Sequence, residues 1–227
     1  VGGTLVKHYR DLAFMGFTEV IMNLRTILNN IKFCKKDILD YKPSAVILVD
    51  YPGFNLRIAE FAHKNGITVH YYISPQIWAW KENRIKKIKR DVDHMYVILP
   101  FEKKFYEDKH NFPVHFVGHP LLDAIANRSP VDLEAFSKEN GLSDRPIVAL
   151  LPGSRKQEIT KMLGIMLKMV DRFPDHQFVI GGAPGQEPSF YEAFLQKENV
   201  ALVHNRTYDL LSVSSAALVT SGTATLE

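Results

Sequence analysis

Apolar and polar positions recur along the chain in two rhythms. Over residues 12–39 the large apolar side chains of Met15, Phe17, Val20, Ile21, Leu24, Ile27, Leu28, Ile31 and Phe33 return at helical spacing, which predicts a helix pair with a wide apolar face. That face suits a core, or in part contact with acyl chains or a bilayer surface. From Pro43 onward the rhythm changes. Short apolar runs at Ala45–Val49 and at 67–73, 95–99 and 114–117, bounded by turn residues, read as buried strands. A helix over 56–64, closed by Asn65 and Gly66, separates the first two. Strand, helix and strand at this spacing predict right-handed crossovers and a parallel sheet.

The chain turns polar over residues 126–145, where Asn127, Arg128, Ser129 and Pro130 read as a linker ahead of a short helix, Leu133–Glu139. The expected division is a first domain over 1–125, a linker over 126–145 and a second domain over 146–227. The second domain opens on IVALLPGSRKQE, residues 147–158. Its apolar run, Ile147–Leu151, predicts a strand buried on both faces, and Pro152, Gly153 and Ser154 turn it into Arg155 and a helix. A helix over 159–173, strands at 177–180 and 201–203, a helix at Thr207–Val213 and a strand at Ala216–Val219 follow. The last strand delivers TSGTATLE, where small hydroxyl residues and glycine again meet a helix start.

Length and an apolar share of 46% suit two ordinary domains. A net charge of +3 is too mild to point to nucleic acid, so no nucleic-acid partner is expected. The cations are concentrated locally instead: KENRIKKIKR, residues 81–90, carries six against one acid, with Ile85 and Ile88 on a common face. It is a solvated basic helix, or a patch drawn to anionic lipid head groups at about 1 kcal/mol per cation. Cys34, the single cysteine, excludes an internal disulfide framework and favours a reducing, cytosolic setting. No run reaches the roughly 18 to 20 apolar residues of a spanning helix, and no signal-peptide pattern opens the chain. Val1 begins it without a methionine and Glu227 stops it where a helix is expected, so it reads as an ordered piece of something longer.

Unpaired N–H groups at a helix start attract anions, glycine lets a ligand approach the backbone, and arginine offers a fork of donors suited to phosphate. Gly153, Ser154 and Arg155 have that composition, although an ordinary turn with a solvated arginine has it too. Ser221, Gly222 and Thr223 form a second such turn. In the first domain Asp50, followed by Tyr51, Pro52 and Gly53, sets a carboxylate at the C-terminal end of a parallel strand, where open α/β sheets bind ligands. The loop SPQIWAW holds Gln76 and both tryptophans, which pack beneath it or line a pocket. His119 fits a proton carrier, a binding donor or a buried loop histidine. There is no CxxC or HExxH spacing for a metal, no GxSxG serine and no Walker lysine, and neither metal nor cofactor is expected. What remains suits transfer from a nucleotide-activated donor, one half holding the leaving diphosphate and the other presenting an acceptor beside a base.

SPQIWAW, LPFEKKFY, FVGHPLLDAI, LLPGSRKQEI and TSGTATLE, in that order, resemble the lipid-A-disaccharide synthases, glycosyltransferase family 19, of GT-B architecture. The resemblance runs through essentially the whole chain, and separated motifs in order are specific where PGSR alone is not. It implies an α/β fold of two Rossmann-like domains with parallel sheets facing a cleft. It also implies truncation at both ends, since the family's GExSGD segment would precede Val1 and a C-terminal part would follow Glu227. The implied activity is an inverting glycosyltransferase that joins UDP-2,3-diacylglucosamine to 2,3-diacylglucosamine 1-phosphate (lipid X). The products would be the β-1,6 lipid A disaccharide 1-phosphate and UDP, with no metal required.

Matched residue by residue, the family's essential aspartate falls on Asp50, with Asn55 alongside, and its PGSR arginine falls on Arg155. These imply Asp50 and Arg155 as catalytic residues, and Asn55, Gln76, Gly153 and Ser154 as substrate contacts. The family's SGTATLE turn falls on Ser221, Gly222, Thr223 and onward to Glu227, where similar enzymes use the hydroxyls for diphosphate and the glutamate for ribose. Gly53 departs from the pattern, since many relatives carry a second acid there. Acylated substrates imply a peripheral enzyme on the cytoplasmic face of the inner membrane of a Gram-negative bacterium. The 15–28 face and the KENRIKKIKR patch would dock on anionic lipid, and a homodimer is compatible. Alternatives on the same fold are a non-catalytic UDP-sugar-binding module and a UDP-GlcNAc epimerase, whose own histidine and carboxylate motifs are not seen.

Overall fold

The structure is a computed structural model that describes residues 3–7, 24–220 and 225. The chain divides into two compact units, Val1–Leu122 and Asp123–Glu227. In the first, α1 (Leu24–Tyr41) leads to β1 (Ala45–Val49), α2 (Pro52–Lys64) and β2 (Thr68–Tyr72). A 3-10 turn, Glu82–Arg84, then runs into α3 (Ile85–Asp91), followed by β3 (His94–Val97), α4 (Pro100–Lys104), a π turn at Phe105–Lys109 and β4 (His115–Phe116). The strands are all parallel, in the order β1-β2-β3-β4.

α2 begins at Pro52, ahead of the 56–64 span that periodicity predicts, because proline is well placed at a first helical position, where its missing N–H costs nothing. Its Leu56, Ile58, Ala59 and Ala62 are buried in one cluster with Val46 and Leu48 of β1 and Val69 and Tyr71 of β2. β1 alternates strictly, however. Ile47 and Val49 are 72% and 50% exposed, so the described elements cover one face of a run that reads as buried throughout. Of the apolar face predicted at 15–28, residues 15–23 lie outside the described residues, while Leu24 and Leu28 are exposed. No helix among the described residues is long and apolar enough to cross a membrane.

After α5 (Pro120–Ala126), the second unit contains α6 (Leu133–Glu139), β5 (Ile147–Leu151), α7 (Lys156–Met166) with a 3-10 extension at Leu167–Arg172, and β6 (Gln177–Gly182). A 3-10 stretch at Pro188–Phe194, β7 (Val200–His204), α8 (Thr207–Val213) and β8 (Ala216–Val219) complete it. Asp132 caps α6, its Oδ1 accepting the Ala135 N–H at 3.0 Å. The strands are again parallel, in the order β7-β6-β5-β8. Alternate residues of β5 and β6 feed two cores. Leu150, Phe178 and Ile180 pack with Ile159 and Leu163 of α7, whereas Ala149 and Val179 pack with Phe136 of α6 and Leu210 of α8. Helices therefore cover both faces of the sheet, the doubly wound arrangement of a Rossmann-like unit.

Candidate active site

Backbone geometry singles out one corner of the first unit. Asp50 and Tyr51, directly after β1, have φ of 44° and 45°. Left-handed conformation costs an ordinary residue about 1 to 2 kcal/mol, and two in succession persist only where their surroundings hold them. Asn55 does much of the holding: buried on α2, it donates its two Nδ2 hydrogens to the Val49 and Asp50 carbonyls at 2.9 and 2.7 Å. The Tyr71 hydroxyl donates to the same Asp50 carbonyl at 2.6 Å, and the Asp50 N–H donates to the Tyr72 carbonyl at 2.9 Å. Tyr51 accepts the N–H groups of Phe54 and Asn55 and stacks on the Phe54 ring, which fixes the start of α2. The turn thus displays an exposed Asp50 side chain at the carboxyl end of β1, and among the described residues Asp50 is in no ion pair.

Burial pushes the Tyr71 phenol well above the ordinary tyrosine range, and the Asp50 charge adds in the same direction. Above pH ~10, where an unfolded tyrosine ionises, the unfolded chain therefore holds fewer protons than the folded one, and stability falls as pH rises. Tyr71→Phe removes that difference. Urea midpoints between pH 8 and 11 are expected to decline less steeply in the variant, from a start lower by about 1 kcal/mol for the lost hydrogen bond; parallel curves would refute the assignment.

The loop after β2 is tied down from beneath. Ser74 donates its hydroxyl to Glu102 Oε1 at 2.6 Å, and Glu102 Oε2 accepts the N–H groups of Ile98 and Leu99 at 3.1 and 2.9 Å. The Tyr106 hydroxyl donates to the Pro75 carbonyl at 3.2 Å. Glu102, only 1% exposed, is a residue that sequence reasoning missed. The available signal is an acid two residues after a helix-starting proline, placed to reach back to the preceding N–H groups. Ile77, not a tryptophan, packs under the loop. Trp78 lies edge-on to Phe101, Trp80 lies beside Lys81 and Arg84, and both indoles remain substantially exposed, as does Gln76.

In the second unit β5 has β6 on one side and β8 on the other, so the direction of winding reverses at β5. Such a switch point opens a crevice at the carboxyl ends of the strands. β5 ends there in the Gly153 turn, and β8 ends beside it, Leu151 pairing with Val219 and the Thr220 N–H donating to the Leu151 carbonyl at 3.0 Å. Gly153 has φ 100°, a conformation that favours glycine, and a Cβ on it would fall on the Glu158 carboxylate and make that flexible side chain swing aside. Glu158 in turn accepts the Ser154 N–H at 3.4 Å. Arg155, exposed, is the N-cap residue of α7 and its carbonyl accepts the Ile159 N–H at 2.8 Å. Among the described residues the Thr220 hydroxyl is buried there without a hydrogen-bond partner. Ser221, Gly222, Thr223 and Glu227 follow immediately but lie outside the described residues.

Two other sequence features acquire local roles. Half-buried His119 accepts the Leu121 N–H on Nδ1 at 3.2 Å, at the start of α5. In the basic segment Ile85 and Ile88 are buried as their spacing predicts; Arg90 pairs with Asp91 and Glu60, and Lys89 donates to the His110 carbonyl.

A sequence profile of the lipid-A-disaccharide synthetase family matches residues 1–227. The lipid-A-disaccharide synthase of Syntrophus aciditrophicus (strain SB) is 44% identical over 224 residues, 96% of this chain and 58% of that protein. That of Coxiella burnetii (strain Dugway 5J108-111) is 42% identical over 221 residues, 95% of this chain and 58% of that protein. The fold is similar to that of a UDP-GlcNAc 2-epimerase from Neisseria meningitidis bound to UDP-GlcNAc, with a TM-score of 0.63 at 16% identity, covering 92% of this chain and 62% of that one. The units thus have the Rossmann-like, GT-B type of fold, and the chain spans 58% of the length of the curated relatives it matches.

Proposed function

The chain belongs to the lipid-A-disaccharide synthetase family, and from that membership and the geometry above we propose that it supplies the sugar-transferring core of an enzyme that joins UDP-2,3-diacylglucosamine to 2,3-diacylglucosamine 1-phosphate. The products are the β-1,6-linked disaccharide 1-phosphate and UDP. The observation that carries the reading in this chain is the strained pair Asp50 and Tyr51, which holds a carboxylate clear of ion pairs at a strand end. Asp50 takes the proton of the acceptor 6-hydroxyl as that oxygen attacks the anomeric carbon, and the bond from that carbon to the diphosphate breaks on the opposite face with inversion. Charge developing on the leaving UDP is met by the Arg155 guanidinium and by the Gly153, Ser154, Ser221, Gly222 and Thr223 turns, with Glu227 on the ribose. Donors already aimed at developing charge lower such a barrier. Asn55 acts by holding the Asp50 backbone, and Gln76 lies with the acceptor.

The test is a product assay on the full-length protein with both acylated substrates. The disaccharide and UDP are expected in equal amounts, and Arg155→Ala is expected to weaken UDP binding about tenfold to a hundredfold, the loss of charge-assisted hydrogen bonds. Conversion of UDP-GlcNAc without an acceptor, or UDP binding without transfer in the intact enzyme, would overturn the reading in favour of an epimerase or a binding module. Because both substrates carry acyl chains, the same reading places the enzyme peripherally on the cytoplasmic face of the inner membrane, docked through the basic segment 81–90, of which Lys86 and Lys89 are exposed. Charge reversal at these two is expected to abolish flotation with anionic vesicles; undiminished flotation would make the patch ordinary surface.

A further inference from the structure

Arg57 on α2, Lys81, Arg84 and Lys87 line one cavity of about 380 Å³ together with Pro52 and Gly53, which belong to the turn that carries Asp50. Among the described residues no aspartate or glutamate lines it. Among the described residues none of the four cations is in an ion pair, whereas neighbouring Lys64 and Arg90 are paired with Glu60 and Asp91. Glu60, the carboxylate whose field reaches Lys87, is itself bound to Lys64 at 2.8 Å. The cations are nevertheless positioned. Lys81 and Arg84 sit against the Trp80 ring at 4.4 and 5.4 Å from its centroid, which orients a cation without neutralising it, and Arg57 donates to the Gly53 carbonyl. Positive groups gathered without a counter-charge repel one another, and a dianion with several acceptor oxygens relieves that repulsion.

We propose that this cavity binds the phosphomonoester of the acceptor sugar, an inference that rests on the acceptor assignment above. Gly53 is three residues from Asp50, at most about 10 Å of chain, and the 1-phosphate and 6-hydroxyl of a hexose lie at opposite ends of one sugar. A phosphate held by Arg84 and Lys87 therefore sets the ring with its free hydroxyl toward the Asp50 carboxylate, and the enzyme selects a phosphorylated acceptor by a site separate from the one for UDP.

The experiment uses full-length enzyme in neutral detergent micelles without anionic lipid, with acceptors that carry or lack the 1-phosphate. Arg84→Gln and Lys87→Gln are each expected to lower the ratio of kcat/KM for the phosphorylated over the phosphate-free acceptor about tenfold, through KM. Lys87→Arg is expected to restore most of the ratio, and unchanged UDP affinity checks that each variant is folded. A ratio unaltered by both neutral variants overturns the proposal, and so does a defect that appears only when anionic vesicles are added, which would assign the cations to membrane head groups. Calorimetric titration with glucosamine 1-phosphate separates this inference from the activity on which it rests. If the wild-type enzyme forms no disaccharide, the transfer reading fails, while binding of glucosamine 1-phosphate that Arg84→Gln weakens tenfold still supports the phosphate site and absence of such binding overturns it.

Discussion

Asp50→Asn is expected to leave UDP bound and transfer all but abolished, with kcat lower by about a hundredfold to ten-thousandfold, the range for losing a positioned general base. Asparagine is the informative replacement because the backbone at this position is left-handed, with φ 44°. Aspartate and asparagine tolerate that region alike, so the turn, the Asn55 and Tyr71 bonds to the position 50 carbonyl, and the start of α2 should all survive. Alanine would confound loss of the base with backbone strain. Single-turnover rates with UDP affinity measured on the same sample decide: a near-normal rate would remove Asp50 from the chemistry, and loss of UDP binding would mean that the substitution had disturbed more than a proton acceptor.

Glu102→Ala is expected to destabilise the first unit by about 3 to 5 kcal/mol. The carboxylate receives the Ser74 hydroxyl and the Ile98 and Leu99 N–H groups in a nearly water-free setting. Each buried donor left without an acceptor costs about 1 to 3 kcal/mol, and the truncated side chain leaves a void as well. Glu102→Gln should cost less, since one oxygen remains, but its amide nitrogen must then face a donor. Urea unfolding measures both. An effect below about 1 kcal/mol for alanine would show that water replaces the carboxylate and that the loop after β2 does not depend on it. Trp78 and Trp80, both on that loop, report on its displacement through their emission.

The elements that could be read along the chain are those delimited by local chemistry. β5, α6, α8 and β8 have the bounds that an apolar run between turn residues implies. α2 and α7 start earlier than periodicity suggests, because their first turns, Pro52-Gly53-Phe54 and Lys156-Gln157-Glu158, carry little apolar signal and are set by a proline at the first position and by the chain leaving a turn. The same distinction runs through the site. A carboxylate after β1 and a glycine turn after β5 are legible, since ligand crevices lie at the carboxyl ends of parallel strands. That β8 returns to the free side of β5 is not, because strand order is decided by crossovers that join distant segments. Glu102 is invisible for a similar reason. An acid among lysines reads as surface, and its burial depends on Ser74, which arrives from 28 residues away.

The two strand orders imply different schedules during translation. β1 to β4 lie in the sheet in the order of their synthesis, so each strand emerging from the ribosome can add to the edge left by its predecessor. β5 gains β6 and β7 on one side soon after it appears, but its other edge stays bare until Ala216–Val219 has been made. An open, apolar strand edge is a template for wrong pairing. The nascent second sheet is therefore a place where a chaperone has reason to wait.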